Sequence, residues 1–331
     1  MGLAARLDDF QRRHTWLGFP LAVVYKFIDD QGGYLAALIT YYGFVSLFPM
    51  LLLLVSVLGY TLEGDPALQQ AVLGSALQQF PIVGPQLEQN VGSIQGSGLG
   101  VVLGILGAVY GGLGVSVAIQ TALNRVWAVP RYARPDPVVS RLRGLVLFLL
   151  LGAVVVITTA LSSIGAVAAG SQYGIGSGAR IAAIMLAMIV NVGAFLFAFR
   201  VLTARDIRLA DLMPGAIGAG VAVQLLQTGG ALFVSYALRG ASQIYGVFGL
   251  VLGLLAYLYL QSFIVVFCAE INAVRARRLW PRNLLTPFFN DVALTAADRA
   301  SYRSYVDSER FKPSQQVQTT FDTQPSASDK P

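Results

Sequence analysis

Six long runs of this chain contain no aspartate, glutamate, lysine or arginine: 31–62, 89–124, 144–179, 181–199, 212–238 and 240–269. The hydrocarbon of a bilayer is about 30 Å thick, and a helix needs roughly 20 apolar residues to cross it. Every run has room for one crossing, the shortest, 181–199, only just. The basic residues between the runs then orient them. Arg6, Arg12, Arg13 and Lys26 precede the first; Arg125, Arg131, Arg134, Arg141 and Arg143 follow the second. Arg200, Arg205 and Arg208 follow the fourth, and Arg275, Arg277, Arg278 and Arg282 follow the sixth. The intervening connections hold only Arg180 and Arg239, while 63–88 carries Glu63, Asp65 and Glu88 and no basic residue. Basic loops stay on the cytoplasmic side. The pattern predicts an all-α polytopic membrane protein with six transmembrane helices and both termini cytoplasmic, supplemented by short amphipathic interfacial helices.

The spans fall at about 34–58, 98–120, 145–169, 181–199, 212–236 and 245–268, so 31–282 reads as one membrane domain. Residues 1–30 form a cytoplasmic N-terminus. Within it, 16–30 has helical periodicity, with Leu21, Val24, Phe27 and Ile28 on one side and Lys26, Asp29 and Asp30 on the other. That spacing predicts an amphipathic helix lying in the cytoplasmic interface. The loop 61–96 is extracytoplasmic and too long for a bare turn, and 66–80 suits a helix at the membrane surface. Residues 283–331 turn polar, which predicts a disordered cytoplasmic tail.

The chain is 55% hydrophobic and 12% charged, about half the charged share of a typical soluble domain. Its net charge of +6 lies mainly on the cytoplasmic side. Attraction to anionic lipid headgroups, worth about 1 kcal/mol per near-surface Lys or Arg, explains that placement without nucleic acid. A single cysteine, Cys268, excludes an intramolecular disulfide, and the residue types offer no metal or cofactor motif.

Several polar residues sit where hydrocarbon is expected. In span 1, Tyr42, Ser46 and Pro49 share one helix face. Pro49 cannot bond the carbonyl of Val45, so the helix either bends beside a cavity or carries an ordinary packed kink. Gln224 and Gln227 sit at mid-depth in span 5 and need partners from other helices or from a pathway. Gln261 marks the lower half of span 6, and Glu270 and Asn272 follow at its cytoplasmic end. A carboxylate that close to hydrocarbon is costly unless paired. Arg125, Arg143 and Arg200, all at inner span ends, are the candidate partners, in a structural ion pair or a proton-coupled role. Gly100, Gly104, Gly107 and Gly111 in span 2, and Gly246, Gly249 and Gly253 in span 6, predict close helix packing.

The run Ala36-Ala37-Leu38-Ile39-Thr40-Tyr41-Tyr42-Gly43-Phe44-Val45-Ser46-Leu47-Phe48-Pro49 resembles the signature of the YihY/BrkB family of bacterial inner-membrane proteins, which includes YhjD-like members. Ala122 to Trp127, Ser140 to Gly144, Tyr245-Gly246 and Ala269-Glu270-Ile271-Asn272-Ala273 extend the resemblance over roughly 15–282. Cys268 stands where the family commonly has glycine. The resemblance implies six spans, cytoplasmic termini and location in the plasma (inner) membrane. Its members have carried the labels ribonuclease BN, virulence factor and lipid-precursor transporter. RNA hydrolysis needs acid–base groups or a metal cluster. The only histidine is His14, in a polar N-terminal stretch, and no carboxylate pair has ligand spacing on the cytoplasmic side, so a nuclease is rejected and no enzyme is expected. The leading expectation is a transporter, or transport accessory, for a lipid-linked or amphipathic envelope substrate. The alternative is a non-transporting scaffold for envelope proteins. Either reading is compatible with a homo-oligomer or an envelope protein partner in the bilayer.

Overall fold

The computed structural model describes residues 2–61, 98–147, 176–287 and 292–321, with single helical positions at 150, 153, 154 and 157. The described residues contain helices and no strand. In chain order they are α1 (Gly2–Arg13), α2 (Thr15–Asp29), α3 (Gly32–Thr61), α4 (Gly98–Val126), α5 (137–147), α6 (Gly176–Leu202), α7 (Leu209–Arg277) and α8 (Ala296–Ser308). Among the described residues, three segments are long and apolar enough to cross a membrane: Met185–Leu202, Leu209–Gln227 and Val251–Arg277. The expected loop helix at 66–80 and most of the expected third span lie outside the described residues.

Helix α7 cannot be one straight rod. The Gly215 N–H donates to Asn272 Oδ1 at 2.6 Å. At about 1.5 Å of rise per residue, a straight helix would hold those two residues roughly 85 Å apart. The chain therefore reverses between Gly218 and Cys268, and the paired contacts Ala210–Arg275, Gly215–Asn272 and Gly218–Cys268 between its two arms run antiparallel. Pro214 explains part of the contact. It lacks the N–H that would bond the Ala210 carbonyl, and Arg275 Nη1 reaches that carbonyl at 3.3 Å instead. A Cβ on Gly215 would overlap the Cys268 carbonyl. Gly215→Ala is therefore expected to destabilise the protein by roughly 1–3 kcal/mol through overpacking. Thermal melting in detergent measures this, and an unchanged midpoint would contradict the close approach of the arms.

Helix α3 packs mainly on α4 and on α7. Its contact with α4 uses glycine. A Cβ on Gly111 would stand 2.6 Å from Ser46 Cα, and one on Gly114 would overlap the Tyr42 ring. Thus Gly111 serves the packing expected of it, and Gly114, outside the expected ladder, serves it equally. Gly107 is half-buried, while the surroundings of Gly100 and Gly104 are not among the described side chains. In the second arm of α7, Gly249 is buried and Gly253 half-buried. The surroundings of Gly246 lie outside the described side chains. The backbone of α3 is helical through Pro49.

Among the described residues, the larger buried apolar cluster lies at the end of the bundle that carries the arginines. Leu123, Val126, Trp127, Phe199, Leu202, Leu212, Val266 and Ala273 are buried there in one cluster with Phe27 and Ile39.

Two expectations need correction. Helix α2 is inverted relative to a helix lying on water: Lys26 and Asp30 are buried, while Trp16, Val24 and Ile28 are exposed. Its polar side faces protein, because the charges it carries find partners there. The expected disorder of 283–331 also fails over the described residues 292–321. Helix α8 starts with a capping box, in which Thr295 Oγ1 accepts the Asp298 N–H at 3.0 Å and Asp298 Oδ2 accepts the Thr295 N–H at 3.0 Å. This satisfies two backbone donors that a helix start leaves free. Asp298 is fully buried and also holds Arg282 Nε at 2.8 Å.

Candidate functional site

The first turns of packing at the basic end bring together charges that lie far apart in sequence. Lys26 projects from the last turn of α2, and Asp30 sits one turn later at its C-terminal cap. Glu270 projects from the second arm of α7. These three side chains are at most 1% exposed. The Lys26 ammonium bonds Asp30 Oδ2, donates to the Val126 carbonyl at 3.0 Å and lies 3.3 Å from Glu270 Oε2. Val126 ends α4, where carbonyls lack intrahelical donors and the helix end is negative. The ammonium thus occupies a socket built from three elements.

Around this triad lies a partly exposed ring of further ion pairs. Arg125 Nε is 3.8 Å from Asp30 Oδ1, and its Nη1 donates to Glu309 Oε1 at 3.0 Å. Arg131 reaches the other oxygen of Glu309 at 2.7 Å. Hydrogen bonding from Arg131 first, and the charges of Arg131 and Arg125 with it, hold the Glu309 carboxyl below its ordinary value. Arg282 Nη1 donates to Asp29 Oδ2 at 2.6 Å, and the Tyr305 hydroxyl donates to the same oxygen at 3.3 Å. The Lys26 ammonium stands 5.6 Å from the centre of the Tyr305 ring, within cation–π range. Burial first, then the carboxylates of Asp30 and Asp29, push the Tyr305 phenol up, so it stays a neutral donor. Helix α8 therefore lies against the triad, tied through Tyr305, Glu309 and Asp298.

The expected site residues divide into three groups. Glu270 is at the centre of the cluster, but its cation is Lys26 rather than Arg125, Arg143 or Arg200. Arg125 acts at one remove through Asp30, and Arg200 pairs with Asp206 and donates to the Ile207 carbonyl at 2.7 Å. Arg143 Nη1 is buried without a hydrogen-bond partner. Asn272 serves the contact between the arms of α7. Tyr42 and Ser46 serve the α3–α4 contact, with the Ser46 hydroxyl donating to the Gly43 carbonyl at 2.9 Å. Gln224 accepts from Asn191 Nδ2 at 3.2 Å, a bond between α6 and α7. Gln227 and Gln261 are half-buried in the two arms of α7. The side chain of Pro49 lies outside the described residues.

Lys26, Asp30 and Arg282 were missed as site residues. The signal available was Lys26 and Asp30 at i and i+4, beside Asp29, following the uncharged stretch 15–25. Such a pair is costly to place in an interface unless something across the bundle receives it. Thr40 and Ser262 were also missed. Their hydroxyls meet at 3.3 Å and tie α3 to α7.

An open cleft of about 470 Å³ lies where the end of α2, the start of α3 and α7 meet. Phe27, Ile28, Gln31, Gly32, Gly33, Tyr34, Ala37 and Tyr259 line it. Two of these, Phe27 and Ile28, lie between Lys26 and Asp30 in sequence. An apolar cleft and a buried charge cluster thus share one turn of α2.

These features define a helical membrane protein with an ion cluster buried at the basic end of its bundle. The profile of the family described as Virulence factor BrkB matches residues 23–287. The chain belongs to that family. It is 24% identical over 279 residues to the inner membrane protein YhjD of Escherichia coli (strain K12), covering 78% of this chain and 80% of that one. It is also 24% identical over 261 residues to an uncharacterised protein of Dickeya dadantii (strain 3937), covering 74% and 79%. No solved structure matches the chain.

Proposed function

We propose that this protein is a six-span transporter, or transport component, of the bacterial inner membrane for an amphipathic or lipid-linked envelope substrate. In this reading spans 1, 2 and 4 are α3, α4 and α6, spans 5 and 6 are the arms of α7, and the buried ion cluster faces the cytoplasm. The inner-membrane location of the relative from Escherichia coli supports the placement. The observation that carries the reading is the open, largely apolar cleft built on α2, α3 and α7, on the same helix that carries the buried Lys26. An apolar chain fits that cleft. Burial of three ionisable groups in a membrane protein is expensive and typical of pathways and relays.

Among the described residues no group of three or more His, Cys, Asp or Glu is placed to hold a metal ion. The scaffold alternative would use the tail or the outer loop. In the tail, Asp298, Tyr305 and Glu309 are already engaged by this chain's own residues, which favours transport.

Full-length protein reconstituted into liposomes should move a headgroup-labelled anionic phospholipid between leaflets faster than empty liposomes do. Filling the cleft with Ala37→Trp should reduce that rate at least tenfold without preventing reconstitution. A wild-type rate equal to that of empty liposomes would sink the proposal.

A further inference from the structure

The arithmetic of the triad does not close with every carboxyl ionised. One ammonium, Lys26, faces two carboxyls, Asp30 and Glu270, in a site sealed from water. The donors are also too few. Both oxygens of Glu270 and Oδ1 of Asp30 are buried without a hydrogen-bond donor. A buried carboxylate that lacks donors is among the most expensive groups a protein can hold, and native structures rarely leave one unexplained.

The neighbours offer little relief. From α2, Lys26 is shared between the two carboxyls and the Val126 carbonyl, and Asp29 adds a further negative charge nearby. From α4, Arg125 approaches Asp30 only to 3.8 Å and spends its Nη1 on Glu309. From α7, Arg277 also lies near, with its Nη1 buried and bonded to nothing. Beyond α7, Arg282 is spent on Asp29 and Asp298. From α8, the Tyr305 hydroxyl donates to Asp29 and Glu309 faces Arg125 and Arg131. Beyond the Lys26 ammonium, which stands 3.3 Å from Oε2 without forming a hydrogen bond to it, none of these reaches Glu270.

We propose that the Lys26–Asp30–Glu270 triad is a proton-binding site, in which Asp30 and Glu270 share one exchangeable proton. The proton comes from water, forms an O–H bond on Glu270, and is donated to the free oxygen of Asp30. One ammonium then faces a pair of carboxyls carrying a single negative charge, and the site is neutral. The missing donor is the shared proton itself. A role for this proton as the ion that drives substrate movement rests on the transport reading, whereas its presence does not.

Infrared spectroscopy of the full-length protein in detergent tests the site directly. At neutral pH the wild type should show a protonated-carboxyl C=O stretch that shifts on exchange into heavy water. Glu270→Gln should lose that band, and Glu270→Asp, which keeps an acid, should move it. Asp206→Asn, at an exposed carboxylate paired with Arg200, should leave it unchanged. Should Glu270→Gln fail to fold, Asp30→Asn serves in its place and should alter the same band. Absence of the band in the wild type, or its survival in Glu270→Gln, overturns the proposal. Loss of the band on adding sodium chloride at constant pH would assign the site to an alkali cation and overturn it as well. The readout needs no flux. A band in protein whose liposomes move no lipid would leave the proton site standing and end the transport reading, and active liposomes without a band would do the reverse.

Discussion

Lys26→Met should cost the folded protein about 3–5 kcal/mol, the range expected when one partner of a buried ion pair is removed and the other is left behind. Three acceptors lose their cation together: Asp30, Glu270 and the Val126 carbonyl. None of them can turn to water, because the site is sealed by α2, α4 and α7. Lys26→Arg keeps the charge but should not restore stability, since a planar guanidinium is larger than the fully enclosed space around the ammonium. Melting of the purified protein in detergent, followed by tryptophan fluorescence, reads both effects. A Lys26→Met variant that melts with the wild type would show that the triad contributes nothing to holding α2 against α7.

The second large effect belongs to Arg282. This residue is 1% exposed and bridges two carboxylates on different elements, Asp29 at the C-terminal end of α2 and Asp298 in the first turn of α8. Its backbone carbonyl also accepts from Gln11 Nε2 at 2.5 Å, which ties in α1. Arg282→Ala should leave buried Asp298 without a cation and again cost about 3–5 kcal/mol. Here the damage should be local. Helix α8 should lose its seat, so amide exchange across 296–308 should rise far more than exchange in α3 or α4. Arg282→Lys should recover only part of the loss, because the compact ammonium lacks the planar fork that reaches Asp298 through Nε and Asp29 through Nη1 at the same time. Uniform exchange across the whole molecule in Arg282→Ala would contradict this division of roles.

What the chain made legible, and what it did not, follows from the physics of each signal. Where they are described, the charge-free runs are helical, because hydrocarbon tolerates little else. That Glu270 would need a cation was legible from its depth, and it is buried beside Lys26. Its partner was not, because the pairing of Glu270 with Lys26 is a long-range contact that no local periodicity encodes. The three arginines named for that role were chosen by depth along the bundle, and depth alone does not say which side chain enters the core. Helix α2 misled for a related reason. Its spacing gives an amphipathic helix either way up, and only the position of Glu270 decides that the charged side turns inward. Helix α8 was hidden by averaging. The polar composition of 283–331 describes the whole segment, whereas Thr295-x-x-Asp298 is a local start signal that outweighs it. Tyr42 and Ser46 were correctly placed on one face, and that face proves to be a glycine-lined helix contact.

The central claim is that Lys26 and Glu270 form one energetic unit across the bundle. A double-mutant cycle on Lys26→Met and Glu270→Gln, read by thermal melting of full-length protein in detergent, tests it most directly. Removing Lys26 should be less harmful once Glu270 no longer needs a cation. The double variant is therefore expected to be more stable than the sum of the single losses predicts, by about 1–3 kcal/mol. Strict additivity of the two losses would contradict the account.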